Sequence, residues 1–514
     1  MKSKKSLIVS AFGAIAAIAL AACSGGGSDA AVDTTLPTDD PTQEVKIEFW
    51  HCLGHEKSSN LDKIVESFNT KYEGKYHVEA LKIAGSYDAL ADAIKTKTAA
   101  KEIPALTMGY PDSFSTYMGQ RIENSALLRL DNFINDKTYG YTAAEIADFI
   151  PAFYEEGSAY QFKGQWSMPM YKSTEIMYYN MNYFYGDNQA NALKFSNNSE
   201  YNSLVSVVKG AASNVTDAQL NALRTWCQAN NGYTYNIPST WEDMISTAKK
   251  MKADLKTEKY ASVDTFFPVG YDSDSNLLIT QLAMKGIPYT TNDNISKAED
   301  HILFNNDQTK EVVQGFVDLY QDGILITKGL LGGSKYTNEY FTAGDCAMTV
   351  GSTGGSSYNV SSNFRVGLAA VPTPAGVTPK YIQQGPSICF FNNDDPYIHK
   401  GAWLFYKELA DVTNNVKLAL QNSYDPVRES SFNTDEYKSW IAKKDSDLKY
   451  AIPAETANLR QNYMTSVVFP GSDTARTEIG NILTYVCSNK YSVADAVKKA
   501  YDNTVKNTKM TYAE

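Results

Sequence analysis

Residues Glu48–Ser59 read EFWHCLGHEKSS. His51, Cys52, His55 and Glu56 fall within six positions, and His and Cys at short range are zinc's usual ligands. The order is wrong for the helical zinc motif, which needs Glu directly after the first His. Here Cys52 follows His51, Gly54 interrupts the run, and His77, His301 and His399 stand isolated. No metal is expected. The flanks give a different reading. Val45–Phe49 is a short apolar strand, and Leu61, Ile64, Val65 and Phe68 recur at helical spacing over Asn60–Lys71, with Gly74 as the stop. The stretch is therefore a loop leaving the carboxyl end of a strand, where open α/β sheets bind ligands. His51 is a candidate contact there.

The alternation continues outward. Tyr76–Ile83 reads as a strand, Tyr87–Ala99 as a helix and Pro104–Met108 as a strand, which predicts a mostly parallel sheet wrapped by helices. Ser239–Glu242 fits a capping box ahead of a helix through Met251. Helical periodicity returns over Glu311–Tyr320, His399–Leu409, Ala475–Val486 and Val493–Val505, and Ala347–Val350 and Ile388–Phe391 are apolar strands. Asn188–Asn236 is polar and reads as an inserted surface segment. A chain of 514 residues with 43% apolar content is too long for one core, so two lobes are expected.

Lys2, Lys4 and Lys5 precede a short apolar run, Leu7–Ala19, and then LAAC, Leu20–Cys23. The run is too short to span a bilayer. Small residues ahead of a Cys resemble a bacterial lipobox, which predicts a leader over 1–22 that is removed and lipidation at Cys23. The rest of 23–44, rich in Gly, Ser, Thr, Asp and Pro, is expected to be a flexible tether. The membrane is then reached through the lipid anchor only. Net charge is −11, and no basic run follows the leader, so nucleic acid is not an expected partner. Cys52, Cys227, Cys346, Cys389 and Cys487 are odd in number and form no CxxC, which argues against a disulfide framework.

Several segments in order resemble the extracellular solute-binding proteins of ABC importers, closest to the glycerol-3-phosphate-binding branch. They are IEFWHCLGHE from Ile47, IPALTMGY from Ile103, MPMYKSTEIMYYNMNYF from Met168 and PSTWEDM from Pro238. FTAGDCAMTVGSTGG from Phe341, QQGPSI from Gln383, NSYDPVRES from Asn422 and FPGSDTARTEIGNIL from Phe469 complete the series. The resemblance implies two α/β lobes of the periplasmic-binding-protein class with a ligand cleft between them. It divides the chain into 45–172 plus 381–410, and 173–380 plus 411–514, with crossings near Ser173, Pro374 and Ala410.

The resemblance also implies ligand contact at Tyr87 in GSYDA, Ser173 in YKSTE, Ser352 in TVGSTGG, Gly385 in QQGPS, Tyr424 in SYDPV and Arg476 in TARTEIG. That set suits a phosphate: Gly-rich turns present backbone N–H groups, hydroxyls add short bonds, and one guanidinium adds a planar fork of opposite charge. Two positions depart from the family. Where it keeps a Glu after the third strand, GYPDSF has Pro111 with Asp112 beside it. Where it keeps two tryptophans, VGYDSDSNLL has Asp272 and Ser275. The anion-binding end resembles the family and the glycerol-binding end is rewritten. The expected function is capture of a phosphorylated or otherwise anionic polyol, or a glycerophosphodiester, by a monomeric, membrane-tethered receptor on the extracellular face, for delivery to permease subunits. No catalytic residue and no cofactor is expected. A neutral oligosaccharide is the rival ligand; an exported hydrolase is the rival class, but no GxSxG or HExxH motif accompanies it.

Overall fold

The computed structural model describes residues 32–100, 102–211 and 214–510. The expected leader and Cys23 lie outside them. Among the described residues no helix is long and apolar enough to cross a membrane.

The expected opening strand, β1 (Val45–His51), is followed by β2 (Tyr76–Lys82), β3 (Leu106–Gly109) and β4 (Met168–Pro169). These belong to the first lobe. The chain then crosses to the second lobe for β5 (Glu175–Asn180), β6 (Val269–Tyr271), β7 (Leu325–Thr327), β8 (Met348–Ser352) and β9 (Val366–Ala369). It returns through β10 (Tyr381–Ile382) to β11 (Ser387–Phe390), and β12 (Tyr463–Met464) comes late. The first sheet runs β2-β1-β3-β11-β4 and the second β7-β6-β8-β5-β9, while β10 and β12 form a small parallel pair between them.

In each sheet one strand opposes the other four: β11 is antiparallel to β3 and β4, and β5 to β8 and β9. The reason is topological. The chain enters β5 and β11 from the other lobe, on the side where the parallel strands end, so these two must run backwards. β3, β5, β6, β7 and β11 are buried along their whole lengths, as expected for strands covered on both faces. The described residues of 188–236 include the helices Gln189–Lys194, Ser199–Ala211 and Asp217–Ala229, whose Tyr201, Val208, Leu220 and Leu223 are buried. The helix after Pro238 is capped by Thr240, one residue later than expected. The five cysteines beyond Cys23 are unpaired.

Two sequence expectations are corrected. First, 32–44 is not a free tether. Val32 and Leu36 are buried in the first lobe. Asp33 accepts from Arg129 Nη2 at 2.7 Å and from Asn132 Nδ2 at 3.1 Å. The buried Lys400 ammonium donates to Asp39 O at 2.8 Å and to Asp40 Oδ1 at 3.2 Å, and sits 4.2 Å from the Tyr139 ring centroid. A buried ammonium needs such an anion, so the acidic composition that suggested a solvated linker instead serves a strap. Leu36→Ala is expected to cost about 2 kcal/mol, seen as a lower thermal midpoint; an unattached segment would show no change.

Second, the passage expected at Ala410 comes later. Val412–Gln421 packs against His55–Lys71 of the first lobe, with Asn60 Nδ2 donating to Lys417 O at 2.9 Å. Asp435–Ile441 packs on Val412–Gln421, and only Leu448–Thr456 reaches β9. Asp411 caps a helix through bonds from Thr413 and Asn414 N–H. The break marks a corner between two helices of one lobe.

Candidate functional site

Two crossings lie side by side between the lobes, and the first-lobe segment at Asp425 pairs with the first of them. Ser173 N donates to Gln384 O at 2.9 Å and Gln384 N to Ser173 O at 2.8 Å; Lys172 N donates to Asp425 O at 3.0 Å and Asp425 N to Lys172 O at 2.6 Å. Gly385 has φ +94°, and a Cβ there would stand 2.8 Å from Tyr171 O, so a side chain at this left-handed turn would push two crossings apart. Beneath the turn the fully buried Lys172 ammonium meets the Glu156 carboxylate. It also donates to Ser387 Oγ at 2.8 Å and Gly385 O at 3.3 Å. Gln383 Nε2 donates to Glu156 Oε1 at 2.8 Å. Burial lowers the Lys172 pKa, with the Glu156 charge opposing.

Above the crossings is a cavity of ≈ 330 Å³ lined by Tyr87, Tyr110, Asp112, Gln383, Gln384 and Arg476, among others. The first lobe supplies residues from the carboxyl ends of its strands. Tyr87 opens the helix Tyr87–Ala99 after β2; Tyr110 and Asp112 open Pro111–Met118 after β3. The second lobe supplies Arg476 from the second turn of Ser472–Cys487. Arg476 Nη2 donates to Asn276 Oδ1. Asn276 Nδ2 then donates to Glu175 Oε1 at 2.7 Å, and Tyr271 OH to Glu175 Oε2 at 2.6 Å. This chain holds the guanidinium in place. Burial raises the Asp112 pKa, and the Arg476 charge pulls against it.

Tyr87 and Tyr110 lie edge to face at 4.7 Å, and Tyr171 and Tyr424 are tilted at 4.6 Å between ring centroids. Tyr424 also closes on the second lobe: a Cβ on Gly354 would stand 2.7 Å from its hydroxyl. The Ser472 and Ser173 hydroxyls face Asp112 and Tyr424, and the Oε1 atoms of Gln383 and Gln384 are buried without a hydrogen-bond partner. Unpartnered buried polar atoms are uncommon in a finished interior, and here they gather where the lobes meet.

The structure thus brings Tyr87, Asp112 and Arg476 to one cavity and places Ser173 and Gly385 in the crossings beneath it, with Tyr424 packed against them. Ser352 and Asp272 line a different cavity, of ≈ 550 Å³, in the second lobe. His51 is corrected. It is 4% exposed, its Nδ1 accepts from Leu53 N at 3.2 Å, and its ring stacks on Phe49. Burial pushes its pKa down to about 4, so it is a neutral ring holding its own loop. Among the described residues no group of three His, Cys, Asp or Glu stands together as metal ligands would. Sequence reasoning missed Tyr110, Lys172, Glu175 and Asn276. Lys172 and Glu175 carried a signal: both are charged residues inside the near-apolar run MPMYKSTEIMYYN.

Burial pushes the Glu175 pKa from 4.5 up to about 7, with the Tyr271 and Asn276 hydrogen bonds opposing. A carboxyl held more weakly acidic in the folded protein gives its full stabilisation below its unfolded pKa. That stabilisation is lost as pH rises through the folded value. Stability is therefore expected to fall between pH 4.5 and about 7, and Glu175→Gln should remove roughly 3 kcal/mol of that decline. Urea midpoints across that range would test it; an unchanged slope in the variant would mean the carboxyl is not linked to folding.

Two α/β lobes joined by three crossings, with a polar cavity between them, define a protein that holds a small molecule in an inter-lobe cleft. Residues 63–446 match the model for bacterial extracellular solute-binding proteins, and the chain belongs to that family. It is 22% identical over 406 residues to the sn-glycerol-3-phosphate-binding periplasmic protein UgpB of Rhizobium meliloti, covering 77% of this chain and 79% of that one. UgpB of Brucella abortus is 28% identical over 213 residues, and the match spans only 46% of its length. Among solved structures, UgpB of Mycobacterium tuberculosis in complex with glycerophosphocholine has a TM-score of 0.61 at 14% identity, covering 90% of this chain and 97% of that one. The cyclic alpha-maltosyl-1,6-maltose binding protein of Arthrobacter globiformis has 0.61 at 15%, covering 90% and 100%.

Proposed function

We propose that this chain is the receptor of an ABC importer, capturing an anionic polyol, best a glycerophosphodiester, by lobe closure and passing it to permease subunits. Arg476 carries the reading: it faces the cavity, braced by Asn276 and Glu175. Among the described lining residues it is the cation, whereas Asp88, Asp112, Glu156 and Asp473 are acidic. One guanidinium matches the single charge of a phosphodiester better than the double charge of a phosphate monoester, and Asp112 suits a hydroxyl donor. The hydroxyls of Ser173 and Tyr424 and the unpartnered amide oxygens of Gln383 and Gln384 complete a polar shell. The relatives that bind glycerol-3-phosphate and glycerophosphocholine support the same class. A neutral oligosaccharide is the second reading, favoured by the four tyrosines at the cleft and by the maltose-type neighbours.

Cys23 is the proposed lipid attachment and the outer face of the cell membrane the proposed location. The receptor acts as a monomer and breaks no bond of its ligand. The test is a thermal-shift series with glycerophosphocholine, sn-glycerol-3-phosphate and maltose. Ligand at 100 times its dissociation constant adds roughly 2.7 kcal/mol. Glycerophosphocholine should shift the melt most; a shift with maltose alone would transfer the assignment to the second reading.

A further inference from the structure

Residues 287–304 leave the body of the second lobe and return to it. They follow the helix Asp274–Met284, which holds Asn276 against Arg476, and lead into Asp307–Gln321, which packs on the Arg476 helix Ser472–Cys487. Between these helices the chain forms a hairpin. Thr290 bridges Ile302, Thr291 N donates to His301 O at 3.0 Å, and Leu303 N donates to Tyr289 O at 2.9 Å. Asp300 knits the turn: its Oδ2 accepts from Ser296 Oγ at 2.7 Å and from Ser296 N at 2.9 Å. The His301 ring lies flat on the buried Phe469 ring, with 4.3 Å between centroids.

Asn292 stands where this arm meets the first lobe. Its Nδ2 donates to Val468 O at 3.0 Å and to Ala159 O at 3.4 Å. Two carbonyls can be faced only by the nitrogen of an amide, which fixes the side chain's orientation. Ala159 O, in the first lobe, also accepts from Val468 N at 2.8 Å, and Tyr160 bridges Val468. Val468 lines the inter-lobe cavity just before the Arg476 helix begins, whereas Asn292 does not line it. One second-lobe side chain thus ties the first lobe to the segment that delivers Arg476. Its opposite edge is unsatisfied. Asn292 Oδ1 and the Tyr289 hydroxyl of the same arm are buried without a partner. Water would satisfy both as the lobes part, so the contact favours closure only modestly.

We propose that residues 289–303 are a latch, and that Asn292 is a positioning residue that slows escape of the solute by pinning residues 465–471 to the first lobe. The proposal rests on the reading of the chain as a solute receptor, but not on which solute the cleft takes. The full chain is mixed rapidly with glycerophosphocholine and, separately, with maltose, and its intrinsic fluorescence is followed. Asn292→Leu should raise the dissociation rate about fivefold, the net worth of one hydrogen bond. The association rate should stay within about twofold, since contacts made on closing act on escape. Asn292→Asp keeps the shape and loses the donor, so its dissociation rate should rise at least as far. In solute-free protein, hydrogen exchange at the Val468 amide should be about fivefold faster in Asn292→Leu, with β6 and β8 unchanged. If neither solute binds the parent, the receptor reading fails on its own and exchange at Val468 still decides the latch. Parent-like dissociation in Asn292→Asp, equal changes in both rates, or exchange that is unchanged at Val468 or faster everywhere would each overturn it.

Discussion

Arg476→Ala is expected to raise the dissociation constant for glycerophosphocholine by about 100-fold or more, since truncating one partner of a buried charge pair costs about 2–5 kcal/mol. The guanidinium sits at the inter-lobe cavity with one nitrogen committed to Asn276. Its remaining N–H groups are free to fork onto phosphate oxygens, and no other lining cation among the described residues could replace it. Arg476→Lys should recover only part, because an ammonium cannot make both bonds in one plane. Structural damage is separable from ligand loss. Arg476 lowers the Glu175 pKa, so removing it should move the pH-dependent loss of stability upward while the fold persists. A thermal shift by glycerophosphocholine that survives Arg476→Ala would refute the anion assignment.

Lys172→Met should destabilise the protein by about 3–5 kcal/mol, the usual cost of stranding one member of a buried ion pair. Lys172 and Glu156 are 0% and 4% exposed in their side chains. Without the ammonium, the carboxylate keeps only the Ser387 and Gln383 donors. The double change Lys172→Met with Glu156→Leu should recover most of the loss, because apolar groups of similar volume replace both charges. Denaturant midpoints of the two variants decide the point. The pair also ties the first crossing to the second through Gly385 O. The single variant should therefore weaken glycerophosphocholine binding as well. If Lys172→Met melted like the parent, the pair would have no structural role.

The strand, loop and helix alternation from Val45 to Met108 was legible because it is local: apolar spacing and a Gly stop suffice. The segments that resemble solute-binding proteins could be read for the same reason, and they marked Arg476, Tyr87 and Asp112 as candidates. The strap and the third crossing were not legible. Composition called 32–44 unburiable, yet Val32 and Leu36 found a groove and the aspartates found Lys400 and Arg129, which lie far along the chain. The crossing expected near Ala410 came with the family resemblance; the chain does break there, where Asp411 caps Val412–Gln421, but an N-cap marks the start of a helix and carries no information about which lobe follows. His51 stood at a strand end as predicted, but whether its ring turned to the cleft or to the core depended on the space beside Phe49.

By itself the sequence determined the class of protein: an α/β chain in two lobes of the extracellular solute-binding family, because hydrophobic period and short motifs are properties of neighbouring residues. The tertiary structure alone decided which polar groups share a cavity. It set Asp112 and Arg476 across one cleft from opposite ends of the chain, diverted Ser352 and Asp272 to another, and buried Lys172 against Glu156. The reason is that convergence of side chains and the loss of water around a charge are set by how the lobes pack, which spacing along the chain does not encode.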